Sequence, residues 1–561
     1  MVKKAFSFLN KEFHGINEAA LLLGAFAFLS QILGLVRDRL LAHVVGAGST
    51  LDIYYAAFRI PDFLYVSLAS LASITVLMPF LVQKLDGENG KEKAQKFLNN
   101  VFSAFLLCML AVSVVVFIFM PWLADFIAPG FTPAAHNSLV HISRIMLISP
   151  ILIGLSNLLG TITQIFKKFF IFSLSPVFYN IGIIFGIIFL YPHFGVTGLG
   201  YGVILGAVFH LFIQLPTIAE VKFLPKFSKK IDWKEILHVV SVSLPRTLTL
   251  SVGSFAFIVL ISLASKLVPG SISLFTFSFN LQSVPVGIIG ISYSVAAFPM
   301  LVKSYSKKDM EKFRAQVITG IRQIILWSLP SIALFIVLRA QVVRVILGVS
   351  TFNWWQTRLT SAAVALFIIS LASQSVVLLL VRAYYASGNT KKPLIVNVFS
   401  SAMIIVFGYL FIFLMMHAPL FSNFMESLLR VKGVPGTQML ALPLAYALGS
   451  ILNVFLLWAI FKKEFFKGIS SGLSKTIFEV GFASVVIGIV TYFFLTVFDD
   501  VFLLHTFIGV LLQGLCSGII GIFSGVVTLH LLKNREYLSV VEAFSKKFWK
   551  RAVSVPEQRQ L

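Results

Sequence analysis

SQILGLVRDRLLAHVVGAGSTLDIYYAAFRIPDFLY, residues 30–65, decides how this chain is read. The stretch joins the first two apolar runs of the chain, 18–37 and 52–83. Yet it carries Arg37, Asp38, Arg39, Asp52, Arg59 and Asp62. An ionisable group inside a span is costly unless it is paired or faces a wet cavity. Charge at this density therefore points to a working interior, not a wall against lipid.

The rest of the 561 residues has the same character. Hydrophobic residues make up 58% and charged residues 12%, and mean hydropathy is +0.93. Soluble folds carry about 25% charged residues, so this chain cannot cover a water-facing surface. The composition predicts an all-α polytopic membrane protein. Fourteen apolar runs are long enough to cross, at about 20 residues each. The second (52–83) and the eighth (272–304) are too long for a simple crossing. They hold Pro61 and Pro79, and Pro285 and Pro299, so each is expected to kink or break.

A net charge of +23 would suggest nucleic acid in a soluble protein. Here most Lys and Arg fall in alternate loops. This is the pattern of cytoplasmic segments, with both termini inside, and it leaves no call for a nucleic-acid partner. Three basic stretches look amphipathic: the N-terminal residues 1–17, the linker 220–237, and the tail with Leu538, Val541, Phe544 and Phe548. Each is expected to lie on an anionic inner leaflet. Cys108 and Cys516 form neither a metal motif nor a disulfide framework. The basic, aromatic first residues do not read as a cleavable signal peptide.

An internal repeat sets the expected architecture. MPFLVQKL (78–85) is matched by FPMLVKSY (298–305), and GTITQIFKKFFIFSLSPVFYN (160–180) by VRAYYASGNTKKPLIVNVFSS (381–401). GLGYGVILGAVFHLFIQL (198–215) pairs with ALPLAYALGSILNVFLLW (441–458). The three pairs keep their order. They divide the chain into an N-lobe of six spans (18–219), the linker 220–237, a C-lobe of six spans (238–462), two further spans (463–532) and a basic tail (533–561). Two bundles around a central cavity are a transporter architecture.

The candidate site follows from the buried charges. Arg37 and Asp38 are adjacent and are expected to point to different helix faces. Arg59 and Asp62 are i,i+3 neighbours and can pair. Arg37, Arg144 and Arg246 would make the cavity cationic. Guanidinium groups in a low-dielectric cavity suit phosphate, which they can bind bidentately, so the expected substrate carries phosphate. The chain has no P-loop, no HExxH and no zinc spacing, and its ten His are scattered. It is expected to be a transporter and not an enzyme. It needs no cofactor, and a coupling ion or the membrane potential would supply the energy.

These residues carry a resemblance. The chain resembles the MurJ (MviN) lipid II flippase family, within the multidrug/oligosaccharidyl-lipid/polysaccharide exporter superfamily, over roughly residues 18–530. The strings that carry it are 30–63, LSPVFYNIGIIFGI (174–187), SLPRTLTLSV (243–252) and LQSVPVGIIGISYSVAAFPML (281–301). The resemblance implies fourteen spans, a bacterial cytoplasmic-membrane location, and Ser30, Arg37 and Asp38 lining a central cavity. It also implies an acid opening span two at Asp52, a basic position at Arg59, and a lipid-tail groove made by the last two spans. Gln31, Asp62, Tyr65, Val66, Ser70 and Asn280 stand where the family often has other, mostly charged, residues. Spans seven and eleven hold no acid for a sodium site.

The expected function is therefore translocation of lipid II, an undecaprenyl-diphosphate glycopeptide, during peptidoglycan synthesis. Its diphosphate would be held by Arg37, Arg246 and Arg59. Ser30, Asp38, Asp52, Asp62 and Arg144 complete the candidate set. Lipid II, anionic lipids and other cell-wall synthesis proteins are the expected partners. Two alternatives stay open: export of another polyprenyl-linked glycan or an organic cation, and a non-transporting scaffold in a cell-wall complex.

Overall fold

The computed structural model describes residues 16–68, 74–86, 88–348, 351–466 and 472–549. Among these the chain is all-helical, without a strand. The 30–65 stretch folds as a long helix, α1 (Ile16–Val44), a turn at Gly46, and two short helices, α2 (Ser49–Ala57) and α3 (Arg59–Ser67). The break at Phe58 has a local cause. Pro61 has no N–H to donate to the Ala57 carbonyl, and the ladder resumes one residue later with Asp62 N on Phe58 O at 2.9 Å. The second run ends in α4 (Ile74–Leu85), so its expected break is present.

Next come α5 (Gly90–Ile127), α6 (Pro133–Met146), α7 (Ile148–Ile165), α8 (Phe169–Phe185), the short α9 (Tyr191–Phe194), α10 (Val196–Phe212) and α11 (Leu215–Glu220). They are followed by α12 (Trp233–Ser265), α13 (Ser271–Pro285), α14 (Ser292–Ser306), α15 (Met310–Val337), α16 (Arg339–Leu347), α17 (Trp354–Ile368), α18 (Leu371–Ala386) and α19 (Lys391–His417). The series closes with α20 (Pro419–Leu429), α21 (Ala441–Phe465), α22 (Leu473–Val497), α23 (Phe507–Leu531) and the tail helix α24 (Arg535–Trp549). A π-helical segment, Val286–Ile291, interrupts the eighth run directly after Pro285, which is the expected defect in that span. Among the described residues, eleven helical segments are long and apolar enough to cross a membrane, or twelve with α17 and α18, bent by 41°, taken as one.

The chain forms two compact units. The first comprises 1–281, 346–363 and 390–449, and the second 282–345, 364–389 and 450–561. In the first, Leu77, Leu81, Phe97, Leu98, Leu158 and Ile162 form a buried core with Phe223. Close packing of α8 on α10 depends on glycine, since a Cβ on Gly182 would lie 2.3 Å from Gly206 Cα. Small residues let helix backbones approach where lipid gives no hydrophobic drive to pair them. Gly206→Val should therefore force the two helices apart, at about 1–3 kcal/mol for overpacking. A lower melting temperature of the purified protein is the expected result, and an unchanged one would refute this account of the packing.

The linker differs from expectation. Residues 223–232 form no helix and run as an irregular strap on α5. Gln95 Nε2 donates to Leu224 O (2.9 Å), Lys226 N to Asn99 Oδ1 (2.7 Å) and Ser228 N to Ser103 Oγ (2.7 Å). Buried Phe223 packs against Phe166, the rings tilted by 54° with centroids 5.2 Å apart. The strap's backbone groups thus bond to α5 side chains, and Pro225 disfavours a helix there.

In the second unit, a Cβ on Gly525 would meet Ile487 at 2.4 Å, which shows how tightly α23 lies on α22. The tail helix is anchored by Glu536, which faces Arg322 at 3.5 Å and accepts from Thr476 at 3.3 Å. Asn534 Nδ2 donates to Glu479 at 2.7 Å. The expected tail helix is therefore present, with Leu538 and Val541 exposed; the Phe544 and Phe548 side chains, and the amphipathic stretch before Ile16, lie outside the described residues.

Candidate functional site

Four polar residues of the first unit meet around Arg37. Its Nε and Nη2 both donate to Asp38 Oδ1, at 3.1 and 2.9 Å, and Nη1 reaches Asn180 Oδ1 at 3.5 Å. The expectation that Arg37 and Asp38 diverge is corrected here. Consecutive helical residues do leave the axis in different directions, but the four-bond reach of arginine bends back over the short aspartate. Asp38 is 3% exposed, and its other oxygen accepts from Asn280 Nδ2 at 2.8 Å. Asn180 in turn donates to Ser30 Oγ at 3.2 Å and to Pro176 O at 3.1 Å.

Arg37 is paired but not used up. A guanidinium has five N–H groups, and three are engaged. The side chain keeps 23% of its surface exposed. Beside it, the buried Tyr55 hydroxyl has no hydrogen-bond partner. The group can therefore still donate to an incoming anion without leaving Asp38.

Arg59 does not close onto Asp62. Its Nε donates to Tyr55 O at 3.0 Å, and its guanidinium carbon lies 4.8 Å from the centre of the Phe257 ring. It is half-buried. Asp62 is exposed on the wall of a cavity of about 300 Å³ inside the first unit, between α3, α6, α7, α8 and α10. Tyr65, Tyr179 and His210 share that wall. Pro61, Pro150 and Pro176 line it too; Pro176, inside α8, interrupts the backbone ladder of its helix.

Two expected members lie elsewhere. Asp52 is not open to a ligand. It is 4% exposed, and its oxygens accept from Gly270 N (2.6 Å), Ser273 N (2.7 Å) and Ser273 Oγ (2.6 Å). It caps the start of α13, where unpaired N–H groups and the helix dipole favour a carboxylate. Arg144 does not join Arg37. Its Nε donates to Phe117 O at 3.0 Å, and its guanidinium sits 4.5 Å from the Phe117 ring centre. Phe117 is itself exposed, so a cation–π contact holds this arginine at an outer face of α5. The backbone of Arg246 belongs to α12, and its side chain lies outside the described residues.

The structure also supplies members that sequence reasoning missed. Asn180 bridges Arg37 and Ser30. Asn280, read from the sequence as an absent charge, holds Asp38. Both lie in strings quoted above or next to them, Asn180 four residues after Pro176. Around Asp52, the turn 39–48 makes further polar contacts: Arg39 Nη1 reaches Ile346 O (3.4 Å), Thr351 Oγ1 bonds Ala42 O (2.8 Å), and Gln356 Nε2 bonds Ala47 O (2.7 Å). Among the described residues no three His, Cys, Asp or Glu side chains come together to hold a metal ion.

The comparisons with known proteins agree with one another. The family described as "Lipid II flippase MurJ" matches over residues 41–420. The probable lipid II flippase MurJ of Buchnera aphidicola subsp. Schizaphis graminum is 27% identical over 448 residues, covering 79% of this chain and 82% of its own length. The lipid II flippase MurJ of Burkholderia cenocepacia is 26% identical over 411 residues, covering 72% and 79%. Among solved structures, a lipid II flippase MurJ in an inward closed conformation aligns with a TM-score of 0.72 at 23% identity, covering 92% of this chain and all of that one. An inward-facing MATE-family multidrug transporter of the MOP superfamily aligns at 0.62 and 17% identity, over 80% of this chain.

Proposed function

We propose, for a chain that belongs to the MurJ lipid II flippase family, that it moves a polyprenyl-diphosphate glycopeptide from the inner to the outer leaflet by alternating access. It is a multi-pass membrane protein and a transporter, not an enzyme. Its curated relatives are named for lipid II, and we assign the same cargo here. The observation that carries the reading is Arg37, a guanidinium held in place by Asp38 and Asn180 with two N–H groups to spare. Arg59, which unlike Arg37 makes no ion pair among the described residues, is the second group we assign to the diphosphate. Arg246 is the third, and Ser30 positions Asn180.

Fourteen spans follow if α1 and the broken α2–α4 segment are added to the twelve that qualify by length. We place both termini in the cytoplasm, on the strength of the Lys and Arg distribution. The two six-span lobes would rock against each other, as repeat-built transporters do. The apolar outer faces of α22 and α23, with Phe478, Phe482, Ile519 and Phe523 exposed, suit a polyprenyl tail. The tail helix α24 would rest on anionic inner-leaflet lipid. No bound cofactor is assigned; the energy source is taken to be a coupling ion or the membrane potential.

The test is a leaflet-accessibility assay for lipid II in cells depleted of this protein. Depletion is expected to trap lipid II in the inner leaflet, and re-expression to release it. Unchanged outer-leaflet lipid II on depletion would overturn the reading.

A further inference from the structure

We propose that Asp62 is an internal counter-anion that opposes the diphosphate at Arg59 and Arg37, and that a proton taken up from its cavity strengthens the grip of both arginines on the cargo. The inference rests on the headgroup reading above and assigns Asp62 the opposite role from a substrate ligand.

Charge counting motivates it. Among the described side chains of the cluster, Arg37, Asp38, Arg59 and Asp62 sum to zero. A dianionic headgroup would therefore enter a neutral cluster, not a cationic one. Asp38 cannot be the adjustable member. It is buried, and its oxygens are occupied by Arg37 and Asn280. Asp62 differs on each point. Its side chain is exposed on a cavity wall, and it has no hydrogen bond or ion pair among the described residues. It still lies within electrostatic reach of both Arg59 and Arg37. A charge that is near two cations but bonded to neither can be neutralised without breaking a contact.

The cavity supplies the proton's route. About 300 Å³ has room for several waters, at roughly 30 Å³ each. Among the described side chains, the groups that face Asp62 include Arg59 and Arg37 as the fixed cations. On its own helix, α3, these are Arg59 and Tyr65. On α1 it is Arg37, already paired with Asp38. On α2 and α8, Tyr54 and Tyr179 sense its charge. On α7 the cavity wall carries Ser149, and on α10 it carries His210. His210 Nδ1 lies 2.7 Å from Ser156 Oγ, whose own hydrogen goes to His210 O at 2.8 Å. With that hydrogen committed, the Ser156 hydroxyl accepts from His210 Nδ1. From α12, packed on α3, Phe257 faces Arg59; Arg246 there lies outside the described side chains.

The consequence is a linkage. Protonating Asp62 leaves the cluster at +1 and strengthens anion binding. By reciprocity, anion binding draws a proton onto Asp62. Acidification should tighten the grip on a diphosphate, and alkalinisation should loosen it.

The experiment uses the full chain in lipid nanodiscs with farnesyl diphosphate as the probe, titrated calorimetrically in buffers of different ionisation heat. Wild type is expected to take up protons on binding. Asp62→Asn, of the same shape, should bind on the order of tenfold more tightly at neutral pH and take up fewer protons. Asp62→Glu should restore proton uptake, which separates a charge effect from a packing defect. Comparing variants at one pH cancels the ionisation of the diphosphate itself. Equal affinity and equal proton uptake in wild type and Asp62→Asn would overturn the proposal while leaving the headgroup reading intact. No binding of the diphosphate by folded wild type at any pH would remove both.

Discussion

Arg37→Ala is expected to abolish complementation of a flippase-depleted strain while the protein still inserts into the membrane. Removing the guanidinium acts twice. It takes away a cation fixed by partners on two helices, α1 and α8. It also leaves Asp38 with a single neutral donor, Asn280, in a site that is 3% exposed. Breaking a buried ion pair costs about 3–5 kcal/mol, so the single variant alone could fail by misfolding. The double variant Arg37→Ala with Asp38→Asn separates the two effects. It relieves the orphaned carboxylate and should recover expression and melting temperature, yet it should still not flip lipid II. Arg37→Lys keeps the charge but cannot donate from three fixed nitrogens at once, so partial activity is expected. Growth of the Arg37→Ala strain at the wild-type rate would remove Arg37 from the mechanism.

Residues 30–65 also show which features can be read from a sequence and which cannot. That Arg37 is special is a local fact, because a charge within an apolar run is visible without knowing its neighbours. The same holds for the helix break beside Pro61 and the π segment after Pro285, where backbone chemistry acts within one turn. What Arg37 touches is not local. Asn180 is 143 positions away, and the amide that holds Asp38 is 242 positions away. Asn280 illustrates the difficulty: against a motif it looked like a missing charge, whereas in the fold it is a hydrogen-bond donor matched to a carboxylate already paired. Arg144 misled for the opposite reason. A basic residue within a span suggests a cavity, but an exposed aromatic ring on a neighbouring helix can satisfy it as well. The linker 220–237 failed on a third count. Its alternation of aromatic residues and lysines fits an amphipathic helix, and only the side chains of Gln95, Asn99 and Ser103 show that its backbone bonds elsewhere.

Asp52→Ala is expected to open the contact between the start of α2 and the start of α13, and to stop translocation by that route, not by loss of cargo binding. In the wild type one carboxylate accepts three hydrogen bonds, two from backbone N–H groups and one from a hydroxyl. Removing it leaves those donors buried without an acceptor, at about 1–3 kcal/mol each. The neighbouring bonds from Thr351 and Gln356 to the 39–48 turn are between neutral groups, about half as strong as charge-assisted ones. They are not enough to hold the contact alone. In the rocking motion proposed above this contact must break and re-form in every cycle, and a loss of about 3 kcal/mol shifts that equilibrium on the order of 100-fold toward the open side. The measurement is labelling of a cysteine at Ser271, which is 3% exposed, by a membrane-impermeant maleimide, with Cys108 and Cys516 replaced by serine. Labelling should be slow with Asp52 present and at least tenfold faster in Asp52→Ala. Binding of a polyprenyl diphosphate should be retained, because Asp52 contacts neither Arg37 nor Arg59. Asp52→Glu should fall between the two, since it keeps the charge but overshoots the geometry. Equal labelling rates in wild type and Asp52→Ala would mean that Asp52 caps a helix and gates nothing.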